Sequence, residues 1–158
     1  MNFDTAIRET FFVQAAMCRD SLGKIVNAIS QVNPPCDPTF GEALAAWLVA
    51  SMVASLQLKF FSLEGDSKIV IVALTFPSIT IDWHIDSVIA NTLALLPTVS
   101  LWEAKKIHKS ANFCTHHMAF WAVARVFSTC IPTYFPPSPL PLSFVVEKIP
   151  PISPFEQL

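Results

Sequence analysis

Three acidic residues stand where apolar segments begin or end: Asp4 after Asn2-Phe3, Glu42 at the head of an apolar stretch, and Asp66 after Phe60-Phe61-Ser62-Leu63-Glu64-Gly65. A carboxylate at the edge of a core is costly to bury alone, so the three are expected to share a counter-charge. A divalent cation serves all of them, and a hard ion such as Mg²⁺ prefers carboxylate oxygens. Each residue also has an ordinary reading by itself. Glu42 stands three residues after Thr39, the spacing of a capping box; Asp66 can be the N-cap of a following helix; Asp4 can be a surface residue.

Other groups with chemical potential are weaker. Cys114, His116 and His117 invite a zinc site, but three ligands on one helical turn point in different directions, and no second ligand pair lies nearby. Lys105, Lys106, His108 and Lys109 form the densest basic run, read either as a solvated strand end or as phosphate positioning without base specificity. Trp47, Trp83, Trp102 and Trp121 are the aromatic candidates for base stacking; for Trp47 and Trp121, on apolar helices, core packing is the expectation.

These residues have to be held by elements that the local pattern predicts. Phe11 to Arg19 and Lys24 to Val32 read as two strands joined by Asp20-Ser21-Leu22-Gly23, a turn in which glycine is free to take a positive φ. After the breaker Asn33-Pro34-Pro35-Cys36-Asp37-Pro38, Thr39 is expected to cap a helix running to about Leu56. Lys59 to Glu64 reads as a strand, and Ser67 to Leu74 as a short helix, with a strand over Ile69 to Val72 as its rival. Asp82 to Leu96 places Ile85, Val88, Ile89, Leu93 and Leu96 at helical spacing and meets Pro97. Leu101 to Ile107 alternates as a strand, and a helix follows from Asn112 to about Phe127. The order predicts an α/β sandwich around a mixed sheet.

A chain of 158 residues suffices for one domain with its own core. Although 53% of it is apolar, the longest apolar run, Ala43 to Leu58, is about 16 residues, short of the ~20 that span a bilayer, so a buried helix and no membrane partner are expected. The net charge of −2 does not advertise nucleic-acid binding. Cys18, Cys36, Cys114 and Cys130 form no CxxC pair and no secretory leader is visible, which points to free thiols and an intracellular location, nucleus or cytoplasm. Eight of the thirteen prolines follow residue 131. The domain is therefore placed at residues 1–130 and residues 131–158 are read as a proline-rich tail, expected to be disordered or to serve a proline-recognition partner. A monomer is expected.

Taken together, five motifs in order carry a resemblance: Asn2-Phe3-Asp4-Thr5-Ala6, Cys18-Arg19-Asp20-Ser21-Leu22-Gly23-Lys24, Glu42-Ala43-Leu44-Ala45-Ala46, Glu64-Gly65-Asp66-Ser67 and Ser110-Ala111-Asn112. Over residues 2–127 the sequence resembles the plant reverse-transcriptase-like ribonuclease H domains. The resemblance implies a ribonuclease H-like three-layer sandwich, with a five-stranded mixed sheet flanked by helices and a first strand, bearing Asp4, that looks truncated. It implies two Mg²⁺ ions held by Asp4, Glu42 and Asp66, an RNA/DNA hybrid as partner, and hydrolysis of the RNA strand to leave a 5′ phosphate. Lys105, Lys106, Lys109 and Asn112 are the residues expected to touch nucleic acid.

Three departures bear on activity, the first being the clipped look of the strand that bears Asp4. Where the family commonly carries a fourth acidic residue, this chain has His116, which can ligate or shuttle a proton but brings no negative charge. Where relatives carry glycines after the first aspartate, Phe11, Val13 and Ala15 stand, and their side chains are expected to crowd the substrate groove. These departures motivate a second reading, a degenerate retroelement-derived domain that binds nucleic acid or a partner without cleaving.

Overall fold

A computed structural model describes residues 1–78, 82–96 and 101–129, with side chains described as far as Arg125. The proline-rich tail lies outside the described residues. The first strand, β1 (Asn2–Ile7), is followed by β2 (Phe12–Arg19) and β3 (Ile25–Asn33), then by α1 (Pro38–Leu56) and β4 (Phe60–Gly65). Next come α2 (Lys68–Thr75), α3 (Trp83–Leu95), β5 (Leu101–Lys106), a 3₁₀ turn (Lys109–Asn112) and α4 (Phe113–Thr129).

The five strands form one mixed sheet in the order β3-β2-β1-β4-β5. Neighbours β1, β2 and β3 are antiparallel, whereas β4 is parallel to both β1 and β5. Along β1 the side chains alternate between two buried faces, as strand geometry requires. Phe3 joins the core that α1, α2 and α3 build on one face, and Ala6 joins Val13, Ala15 and Met17 under Met118, Ala119, Ala122 and Val123 of α4 on the other. This is the expected three-layer sandwich.

Each element follows from local chemistry. The β2–β3 turn closes because Asp20 accepts from the Leu22 and Lys24 amides through Oδ1, while Gly23 takes φ 82°, a conformation that needs no Cβ. Helix α1 begins with Pro38 in its first turn, and the Asp37 side chain accepts from the Phe40 amide at 3.0 Å. The cap is therefore Asp37 and not Thr39: a proline fixes φ at the helix start and leaves the residue before it in the extended conformation that a cap needs. The segment Lys68–Thr75 is a helix rather than a strand, with Val70, Ile71, Ala73 and Leu74 buried on one side.

The helix α1 is 19 residues long, longer than the apolar run suggested, and by length and composition alone it passes as a membrane span. Its apolar character on all sides has another explanation in the fold. Ala43, Ala45, Ala46, Val49, Ala50 and Val53 are all fully buried, because the helix lies between the sheet and α3 and has two faces to cover. Trp47 packs against this core and Trp121 against the core beneath α4, whereas Trp83 is 76% exposed.

Candidate active site

The strand order changes direction between β1 and β4, and in open α/β sheets the crevice at the carboxyl ends of such strands is where ligands bind. Asn2 lies opposite Glu64 in the parallel β1–β4 pair, so Asp4 and Asp66 fall at the same level, with Asp66 leaving the sheet just past the end of β4. The turn there depends on Gly65. A Cβ at this position would meet the Phe3 ring at 2.2 Å, and Phe3 is completely buried. Glycine lets β4 end against that ring and deliver Asp66 to the crevice.

Glu42 arrives from the start of α1. Because successive strand residues face opposite ways, Thr5, next to Asp4, points toward α1, and its hydroxyl donates to Glu42 Oε1 at 2.7 Å. Asp4, Glu42 and Asp66 each present a carboxylate oxygen within 4.8 Å of the others. Among the described residues no other group of three or more histidine, cysteine or acidic side chains converges in this way. The separate readings of the three residues are thereby displaced: Asp37 caps α1, Ser67 is the N-cap of α2, and Asp4 is 4% exposed on an inner strand.

The electrostatics are those of crowded carboxylates. Burial pushes the Glu42 carboxyl up to about 8, with the Asp4 charge adding to the shift and the Thr5 hydroxyl opposing it. Burial also raises Asp4, against the Thr5 amide, which donates to Asp4 Oδ1 at 2.7 Å, and against His116, whose Nδ1 lies 3.0 Å from Asp4 Oδ2. Glu42 Oε2 is buried with no hydrogen-bond partner among the described residues. A carboxylate oxygen left so is costly unless a cation completes it. Three hard oxygen donors with an orphaned oxygen among them fit a divalent ion such as Mg²⁺.

The remaining expected site residues fall into different places. His116 reaches Asp4 from α4, with Nδ1 3.0 Å from Asp4 Oδ2. His117 instead tilts against the Phe113 ring, with centroids 3.9 Å apart, and Cys114 is exposed, so the three do not make a zinc site. Lys106 and Lys109 are exposed near the end of β5, on the side from which β4 gives Asp66. Lys105 is paired to Glu103. Asn112 is 1% exposed and so cannot meet nucleic acid directly; its Nδ2 donates to the Phe3 carbonyl at 2.8 Å, bracing the peptide just before Asp4.

The replaced glycines are corrected likewise. Val13 and Ala15 are fully buried beneath α4 and Phe11 packs against the same cluster, so these side chains fill the core and leave the groove uncrowded. Two contacts were not foreseen in the sequence. One is Thr5, whose signal was its place beside Asp4 in a strand. The other is Asn2, which accepts from Arg19 Nη2 at 2.7 Å and donates to Glu64 Oε2 at 3.1 Å, tying β2, β1 and β4 together.

No protein-family model matches the sequence, and no curated protein matches it. Solved structures do. RNase H1 from the halophilic archaeon Halobacterium salinarum superposes with a TM-score of 0.72 at 20% identity, over 78% of this chain and 95% of that one. The N-terminal RNase H domain of a Mycobacterium tuberculosis protein gives 0.72 at 11% identity, over 82% and 95%. An RNase H1 isolated from compost, solved with an RNA/DNA hybrid, gives 0.70 at 10% identity, over 80% and 96%. The fold is ribonuclease H-like. Within it, the acidic cluster of Asp4, Glu42 and Asp66 resembles an active site.

Proposed function

We propose that this domain is a Mg²⁺-dependent endonuclease that hydrolyses the RNA strand of RNA/DNA hybrids, and that within the ribonuclease H-like fold it is akin to the plant reverse-transcriptase-like domains. The observation that carries the activity is the convergence of Asp4, Glu42 and Asp66 at the β1–β4 crevice. Support for the substrate comes from the compost RNase H1 of like fold, which was solved with a hybrid. Support for the finer kinship is the run of sequence motifs, above all Glu64-Gly65-Asp66-Ser67.

Asp4, Glu42 and Asp66 would hold the metal, and bound Mg²⁺ supplies Lewis-acid activation of water and stabilisation of charge on the departing 3′ oxygen. The chain's own contribution is orientation. Thr5 fixes Glu42, Asn112 fixes the backbone before Asp4, and His116 fixes the Asp4 carboxylate. His116 also stands close enough to the cluster to take or return a proton. Lys106 and Lys109 are placed to meet phosphates without reading bases. The protein acts as a monomer inside the cell, in nucleus or cytoplasm.

One observation favours a second reading, a hybrid-binding domain that does not cleave: His116 occupies the place of a fourth carboxylate and spends its ring nitrogen on Asp4. Purified protein incubated with an end-labelled RNA/DNA hybrid and Mg²⁺ separates the two. Hybrid-specific cleavage that disappears in Asp66→Asn supports the nuclease. Binding without cleavage supports the second reading, and cleavage that survives Asp66→Asn removes the assigned site.

A further inference from the structure

The β1 strand carries the chain past Asp4 to Ile7 and then turns, the Arg8 amide donating to the Phe11 carbonyl at 2.9 Å. The Arg8 side chain folds back at this turn and is held twice. Its Nη1 donates to the Ile7 carbonyl at 2.8 Å, and its Cζ sits 5.0 Å from the centre of the Phe120 ring. Phe120 lies one turn beyond His116 on α4, with ring centres 4.6 Å apart, and His116 in turn touches Asp4. Guanidinium, phenyl, imidazole and carboxylate thus form one row leading out of the acidic crevice.

Nothing in this row neutralises Arg8. The ion pairs among the described residues are Lys105–Glu103 and His116–Asp4, and Glu9, its exposed neighbour in sequence, makes none with it. A guanidinium has five donors, and the Ile7 carbonyl accepts from Nη1 alone. Phe120 remains 43% exposed, so the ring supports the guanidinium from one side and does not bury it.

We infer that Arg8, seated on Phe120, is a contact for a backbone phosphate of the nucleic acid, next to the phosphate at the acidic cluster. This inference rests on the reading above that the crevice receives a hybrid. The chemistry favours it on two counts. Three carboxylates repel a polyanion, so a fixed cation at their margin is what would hold the strand in register. A planar fork already ordered by a carbonyl and a ring loses little freedom when it takes two phosphate oxygens. Arg8 touches neither the carboxylates nor the metal position, so it acts through substrate binding.

The test is hybrid binding in an Asp66→Asn background, where turnover is removed, measured by fluorescence anisotropy between low and moderate salt. Arg8→Gln is expected to weaken binding about tenfold at low salt and to reduce the slope of log affinity against log salt by about 1. Arg8→Lys keeps the slope and recovers part of the affinity. Phe120→Leu, which leaves the charge and unseats it, lowers affinity with the slope unchanged. Mg²⁺ binding to otherwise native protein, followed by calorimetry, stays as it was in Arg8→Gln. Binding with the same affinity and salt slope in Arg8→Gln overturns the inference alone. If protein with Arg8 intact binds no hybrid, the functional reading falls and the inference falls with it.

Discussion

The Thr5 hydroxyl donates to Glu42 Oε1 at 2.7 Å across a gap of 37 residues in sequence. Its neighbour Asp4 faces the opposite way and belongs to the same acidic cluster. Two consecutive residues of a central strand therefore serve one site from its two sides. Thr5→Val keeps the shape and removes the donor. We expect Mg²⁺ affinity to fall by about tenfold or more, as when partners of metal ligands are lost, and stability to fall by about 1 kcal/mol. Calorimetric titration with Mg²⁺ and urea unfolding measure the two effects.

Glu42 also sets a pH dependence. Its folded carboxyl titrates at about 8, against 4.5 for the unfolded reference. Between those values the folded state binds the extra proton, so the stability of metal-free protein falls as pH rises from about 4.5 to about 8. Bound metal needs the ionised form, so Mg²⁺ affinity rises over the same range and binding releases protons. Melting curves from pH 5 to 8, with EDTA and with Mg²⁺, should diverge as pH increases. In Glu42→Gln the EDTA curve should flatten and the Mg²⁺ effect should be lost.

His116→Asp adds a fourth carboxylate and places a second negative charge at Asp4. Like charges at that distance raise each other's pKa, so the metal-free protein should melt lower. With Mg²⁺ the extra ligand charge should tighten binding, and the rise in melting temperature on adding metal should exceed that of the native protein. A smaller rise than native would show that His116 serves the site better than a carboxylate.

Gly65→Ala is expected to be among the costliest single-methyl changes in the chain. The new Cβ would fall 2.2 Å from a ring atom of Phe3, which is fully buried. Overpacking of this kind costs about 1–3 kcal/mol or more. Pairing it with Phe3→Leu should recover part of the loss, and urea unfolding of the four-member cycle measures the coupling.

Much of this site was legible because its information is local. The three carboxylates each close or open an apolar segment, and the Asp20–Gly23 turn and the α3 helix carry their chemistry in adjacent residues. The capping box at Thr39 and Glu42 was misleading for a physical reason. The pattern names a local partner for Glu42, whereas the nearer claim comes from Thr5 on another element. Asn112 was misplaced in the same way, since its partner is the Phe3 carbonyl, 109 residues away. The alternation that marks Val13 and Ala15 as strand residues is silent on which face α4 covers, and that face decided whether they crowd a groove or fill a core.

The position of β1 has a consequence for how the molecule forms. It is the middle strand of the sheet, yet β4 pairs with it from 62 residues away, and Asn112 of the 3₁₀ turn and His116 of α4 grip it from 109 and 112 residues away. The three-strand meander of β1, β2 and β3 can close early and α1 can cover one face of it, but one edge of β1 and its other face stay open until those later segments exist. Closing such long loops is entropically slow and exposes apolar surface meanwhile. Asp4, Glu42 and Asp66 can meet only once β4 has docked on β1, so metal uptake in a refolding experiment would report that long-range pairing and not the early meander.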